Sequence, residues 1–168
     1  MAIDLYRLSV GTFLRQIENL DKLLAKAQAH VTEGQSQESD LLAAKLAPDM
    51  FGFAKQVQLV SDFAKSVAGR LAGAELPRFE DNETTLAELR ERLAKTVAYL
   101  RTLQQASFEG AETREIEVPG RDRTLHFVGD NYLLNFGLPN FYFHYTTAYD
   151  ILRNRGLEIG KRDYVGQV

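Results

Sequence analysis

Cysteine is absent from all 168 residues, which excludes disulfides, thiolate metal sites and a cysteine nucleophile and fits a reducing compartment. No run of 18 apolar residues occurs, so no membrane-spanning helix is predicted. The opening MAIDLYRLSV carries acidic Asp4 and no long apolar run behind it; it predicts no export signal, and the expected location is cytoplasmic. An excess of charge of one sign is also lacking, because 20 basic residues oppose 23 acidic ones for a net charge of -3. Nucleic acid is therefore not an expected partner. Glycines occur scattered, with no phosphate-cradling loop among them. Repeats, low-complexity tracts and linkers are missing as well, and a single domain over residues 1–168 is expected.

What is present is helical periodicity. Tyr6, Val10, Phe13, Ile17, Leu20, Leu24, Ala27 and Val31 follow at steps of four and three, which places them on one stripe of a helix about seven turns long. Gly34 and the polar stretch after it end that helix. A second stripe runs through Phe53, Val57, Val60, Ala64, Val67 and Leu71, with Pro48 expected in its first turn. Between them SDLLAAKLAP predicts two further helical turns. Thr85 and Glu88 stand at capping-box spacing ahead of Leu86, Leu89, Leu93, Val97 and Leu100. The opposite face of that third long helix carries Arg90, Glu91, Arg92 and Lys95, the charge expected where a helix meets water.

The period then falls to two. Ile116 and Val118 alternate with charged residues, PGRD supplies turn residues, and Leu125 and Phe127 alternate with Thr124 and His126. This predicts a β-hairpin within 112–128. A last helix is expected to begin near Asp130, to be interrupted or restarted at Gly137 and Pro139, and to end at Gly156. Its core face is Leu138, Phe141, Tyr145, Ala148, Leu152 and Tyr149. Residues 157–168 form a C-terminal tail, read as an ordinary extension, with anchoring by a salt bridge and an aromatic among Lys161, Arg162, Asp163 and Tyr164, or a lid, as alternatives. Four helices with one wide apolar stripe each must bury those stripes together. The expected fold is all-α, a four-helix bundle with a small hairpin inserted before the last helix.

Chemistry centres on the three histidines. His30 falls where a helix C-terminus favours an imidazolium, and His126 lies on the polar face of a strand. His144 follows Asn140 by one turn, in a run rich in tyrosine and phenylalanine. It reads as a member of a buried hydrogen-bond network reaching Asn140, Tyr142, Tyr145 and Tyr149, with a remnant metal site and a base serving an organic ligand as alternatives. Asn140, His144, Tyr145, Asp49, Gln56 and Asp62 are the candidate pocket residues, and His144 the candidate metal ligand. No resident cofactor is expected; a weakly held divalent metal is the alternative. No nucleophile, metal-ligand or paired-carboxylate spacing identifies a catalytic group.

The segments LAPDMFGFAKQVQLVSDFAK, YLLNFGLPNFYFHYTTAYDILRNRG and IGKRDYVG resemble signature segments of the DUF1993 family, from about Ile3 to Gly166. That family is similar to a distant branch of the DinB/YfiT-like putative metalloenzyme superfamily. The resemblance implies a four-helix bundle, often dimeric, with a divalent metal held by three histidines and, in acting members, thiol-dependent transfer or isomerisation. Two of those histidines stand four residues apart on the last helix, about twelve residues ahead of a glycine. Counted back from Gly156, His144 takes the second position and Asn140 the first. The third ligand belongs to the second helix, and Met50 to Gln58 contains no histidine. The expected function is thus a small-molecule-binding or structural module with a degraded metal site, the alternative being a DinB-like enzyme with a weak metal or ligand site at His144. A homodimer formed by bundle helices is expected to cover surplus aromatics such as Tyr6, Phe51, Phe63 and Tyr99.

Overall fold

The computed structural model describes residues 4–167. Met1, Ala2, Ile3 and Val168, at the ends of the expected domain, tail and family resemblance, lie outside the described residues. Four long helices make the bundle: α1 (Thr12–Thr32), α3 (Phe53–Ala72), α4 (Leu86–Thr102) and α6 (Leu138–Asn154). Shorter helices α2 (Glu38–Ala43), α5 (Gly129–Asn131) and α7 (Lys161–Val165) and a hairpin of β1 (Glu115–Pro119) and β2 (Thr124–Val128) complete it. No helix among the described residues is long and apolar enough to cross a membrane.

The stripes read from the sequence form the core. Val10, Phe13, Ile17, Leu20, Leu24 and Ala27 of the first helix are buried, as are all six stripe residues of α3. Phe13 and Phe141 meet at the centre with ring centroids 4.7 Å apart. At its C-terminus α1 closes with the Gln35 amide donating to the His30 carbonyl at 3.1 Å, a bond that satisfies one of the orphan carbonyls of the last turn. The α4 capping box forms as the spacing requires: the Glu88 amide donates to Thr85 Oγ1 at 3.1 Å and the Thr85 amide to Glu88 Oε2 at 3.0 Å. In the hairpin Ile116 pairs with Phe127 and Val118 with Leu125. Ile116 is buried, and Phe127 packs on Tyr132 and Phe136, which docks the two strands onto the bundle.

Several expectations are corrected. Pro48 stands in a turn ahead of α3, whose first residue is Phe53, capped by Gly52 in extended conformation. The short helix α2 starts at Glu38, one residue before the SDLLAAKLAP stretch, and stops at Ala43. The last helix is not interrupted at Gly137. Residues 129–154 stay helical, with π-helical turns over Tyr132–Gly137 leading into α6. Pro139 stands in the first turn of α6, as expected of a restarted helix, where a missing amide hydrogen costs least. Gly137 also lets this helix lie against α3, because a Cβ there would come within 2.8 Å of a Val67 methyl.

Arg92 is the largest departure. Expected in water, it is 1% exposed. Asp62 of α3 meets the guanidinium at 2.8 Å, and the chain between α3 and α4 folds back over their seam to add Asp81 at 3.0 Å and Glu83 at 2.9 Å. The Glu80 carbonyl accepts a further bond at 3.0 Å. Below it Thr96 Oγ1 donates to the Arg92 carbonyl at 2.9 Å and takes a hydrogen bond from Ser61 at 2.7 Å, tying α3 to α4. Burial raises the Asp81 pKa, and the Lys55 ammonium together with Arg92 outweighs it, so the net shift is downward.

Removing one partner of a buried ionic cluster strands the others. Arg92→Ala is expected to lose about 3 kcal/mol or more, a fall in thermal midpoint of roughly 6 °C or more for a chain of this size, measured by calorimetry. Because the folded Asp81 pKa lies below its unfolded value, that carboxylate's contribution is present above the unfolded value and is lost as pH falls through the folded one. Acid unfolding of the wild type should therefore steepen below pH about 4, and Asp81→Asn should flatten that limb.

Candidate functional site

Position 56 falls in the core register of α3, between Phe53 and Val60, and the residue there is glutamine. A buried amide needs partners, and Gln56 has two. Its Nε2 donates to the Phe51 carbonyl at 3.3 Å, and its Oε1 lies 2.7 Å from Nδ1 of His144 on α6. The first bond fixes the orientation of the amide, turning the oxygen toward the imidazole. An amide oxygen only accepts, so the proton of His144 sits on Nδ1 and Nε2 carries the lone pair. Nε2 has no protein partner among the described residues, yet it is not among the sealed, unpartnered atoms, so it keeps contact with solvent.

The imidazole is 9% exposed. Phe63, two turns after Gln56, stacks on it with centroids 5.5 Å apart and planes 21° apart. Phe143 meets it edge-on at 5.2 Å. Burial, with the Lys55 ammonium second, pushes the His144 pKa down to about 4. At neutral pH the group is an uncharged acceptor in an aromatic sleeve. Phe143, against the ring, is 57% exposed, and Phe51, whose carbonyl holds the Gln56 amide, is 56% exposed.

Of the six candidate pocket residues, His144 and Gln56 come together. Asn140 turns its amide back along its own helix, where Nδ2 donates to the Phe136 carbonyl at 2.7 Å. Asp62 is committed to Arg92 and, at 2.9 Å, to Lys65. Asp49 is exposed in the turn before α3. Tyr145 is buried on another face of α6, where its hydroxyl donates to the Tyr164 carbonyl at 2.8 Å, and burial pushes its pKa up. The expected tyrosine network around the imidazole is thus replaced by one amide from α3. Tyr142, Tyr145 and Tyr149 look toward α1 and the C-terminal segment instead. His126 lies beside Glu117 at 3.5 Å on the open face of the hairpin.

A divalent cation in a bundle takes three or four imidazole or carboxylate ligands. Among the described residues no three of His, Cys, Asp and Glu gather so as to hold one. The donors at this point are one imidazole and a carboxamide, a poor ligand for zinc, and Lys55 adds positive charge. That set does not fit a three-histidine metal. A cavity of about 790 Å³ lies between α1 and α4 and shares no residue with this site. Phe63, Phe143 and Lys55 were not legible as site residues. Phe63 carries a signal all the same, since Gln56 and Phe63 share one face of α3 at a seven-residue step.

The family model of DUF1993, a domain of unknown function, matches residues 5–165. Among solved structures, the crystal structure at 1.83 Å resolution of a DinB family member protein from Shewanella denitrificans is 39% identical. The match covers 98% of this chain and 93% of that chain, with a TM-score of 0.91. No curated protein matches this chain.

The histidine geometry has a pH signature. A folded pKa of about 4 lies below the ordinary 6.5, so the unfolded chain binds the proton first as pH falls. Stability from this group is full above pH about 6.5 and declines as pH drops toward 4. Urea unfolding between these limits should show that decline, and His144→Gln should remove it. In the imidazole spectrum by nuclear magnetic resonance, the Nδ1–H tautomer should persist to a midpoint near pH 4.

Proposed function

The chain belongs to the DUF1993 family, and from this membership, its DinB-like fold and the α3/α6 geometry we propose that it is a small-molecule-binding module that works without a metal. The observation that carries the reading is the 2.7 Å bond from His144 to Gln56, which leaves Nε2 as a bare, uncharged acceptor next to exposed aromatic surface. The ligand class that matches is a flat apolar molecule with one hydroxyl or N–H donor. The donor is received by Nε2, and the apolar body lies against Phe143 and Phe51. In the superfamily that the fold resembles, this point holds a cation; here the Gln56 amide does the orienting that a metal centre asks of its outer partners.

The second reading, a DinB-like enzyme with a weak divalent metal, draws on the same free nitrogen. An imidazole whose Nδ1–H is held by a carbonyl oxygen has the tautomer of a metal ligand. Water would have to supply the ligands that Asn140, Asp49 and Asp62 do not. The same proposal makes the protein a cytoplasmic homodimer joined through bundle helices. Of the four aromatics expected to need a second copy, Tyr6 packs on Phe108, Phe63 on Phe136, and Tyr99 donates to the Glu75 carbonyl at 2.9 Å, each half-buried within the chain. Phe51 alone is left exposed, joined by Phe143.

Phenol and Zn2+ serve as probes on protein labelled at histidine nitrogen. Phenol is expected to shift the His144 Nε2 resonance and to have no effect on His144→Phe, whereas a stoichiometric response to micromolar Zn2+ would transfer the site to the metal reading. Indifference to both would leave the pair a purely structural bond. His144→Ala strands the Gln56 oxygen and is expected to lower stability by about 1 to 3 kcal/mol in thermal or urea unfolding. Native mass spectrometry of protein prepared without added metal or chelator should find no metal and a mass twice the 18.9 kDa of one chain. A species at the single-chain mass at every concentration would remove the dimer.

A further inference from the structure

Independently of the α3/α6 site, two buried polar groups on the far side of α6 have partners that belong to the C-terminal segment. Asn19 of α1 and Tyr145 of α6 are both buried. Asn19 Nδ2 donates to the Val165 carbonyl at 3.1 Å, and the Tyr145 hydroxyl to the Tyr164 carbonyl at 2.8 Å. Arg15 adds bonds to the Val165 carbonyl at 3.2 Å and the Gln167 carbonyl at 3.5 Å. Groups of this kind are costly when unpaired, so the crevice between α1 and α6 requires an occupant rich in free carbonyls. Its present occupant is read mainly through its main chain.

Side chains supply selectivity. Lys26 takes Asp163 at 2.6 Å. The Tyr164 ring lies 4.5 Å from that of Tyr145 and 5.6 Å, edge-on, from that of Tyr149, with its hydroxyl 2.8 Å from Thr146 Oγ1. Gly166 has a φ of +75°, and a Cβ there would come within 2.4 Å of the Asn19 amide; that position admits glycine alone. Main-chain hydrogen bonds combined with side-chain pockets are how folded domains bind peptides. The occupant itself is loosely integrated. None of the side chains of α7 is buried, and an open crevice of about 690 Å³ runs along it between Asn19, Lys22, Leu23, Arg162 and Asp163. Among the described residues apolar burial reaches only as far as Leu157 and Ile159, and Gly160 follows them in extended conformation.

We infer that the α1/α6 crevice is a peptide-binding groove whose resident ligand is the chain's own Lys161–Gln167 segment, and that the same segment of a second copy can take its place. The pivot is Gly160. An exchanged segment meets the same carbonyl-reading donors, because the sequence it carries is the one the groove already fits.

The test uses the full chain. Gly166→Ala drives the resident segment off Asn19 while leaving the groove intact, and hydrogen exchange of the α7 amides reports its release. A fluorescent peptide of sequence KRDYVGQ is then titrated into wild type and Gly166→Ala. The variant is expected to bind it at least tenfold more tightly in apparent Kd than the wild type, whose own segment competes, and adding Tyr145→Phe should weaken that binding. In the wild type the α7 amides should exchange at least tenfold faster than those of central α1 and α6. A released segment with no peptide binding overturns the inference. So does a segment that stays docked in Gly166→Ala, or α7 amides that exchange only with the core.

Discussion

Helix α3 packs against α6 on one side and α4 on another, so its polar residues at Gln56, Gln58, Ser61 and Lys65 have little access to water. Each must find a partner inside the protein. Gln56 finds the α6 imidazole, Ser61 the α4 hydroxyl of Thr96, Gln58 the Glu83 carboxylate at 2.9 Å, and Lys65 the Asp62 carboxylate. These bonds fix how the neighbours rotate about α3, a degree of freedom that apolar contact alone leaves loose. The position and tautomer of His144, and the seating of the loop that carries Asp81 and Glu83, follow from satisfying one helix.

The regular parts of the fold were legible because they depend on short-range rules. The helical stripes, the Thr85 to Glu88 capping box and the hairpin alternation each lie within a few residues of chain. What was not legible depends on groups brought together from afar. Arg92 sits on the polar side of α4 by pattern, and only the returning loop turns that side inward. At Gly137 and Pro139 the helix changes from π to α turns without leaving the helical path, and Pro139 takes the first turn of α6. At the site, His144 could be singled out by its aromatic neighbourhood and Gln56 by its residue type, but their pairing spans 88 residues of sequence. The expected tyrosine partners were chosen by nearness along α6, whereas the helix sends Tyr145 and His144 to different faces, about 100° apart for consecutive residues.

That separation divides α6 into two surfaces. One carries His144 and Phe143 beside α3; the other carries Tyr142, Tyr145 and Tyr149 above α1 and beneath the C-terminal segment. The signature stretch LPNFYFHYTTAYDILR therefore does two jobs at once. Its aromatic density, which suggested a single polar cluster, comes from two clusters interleaved at helical spacing.

An amide and a cation ask different things of an imidazole. A metal bound at Nε2 would withdraw that lone pair into a bond and carry charge that must be balanced; the Gln56 oxygen accepts a hydrogen bond from Nδ1–H and leaves Nε2 free. Burial against Phe63 then keeps the ring neutral, down to a pKa of about 4. An imidazole held this way is a poor proton acceptor at neutral pH but a good hydrogen-bond acceptor, since accepting a hydrogen bond needs a lone pair and not a transferred proton. The geometry therefore makes Nε2 a better acceptor of hydrogen bonds than of protons, and it does so through the same glutamine that the packing of α3 obliges to find a partner.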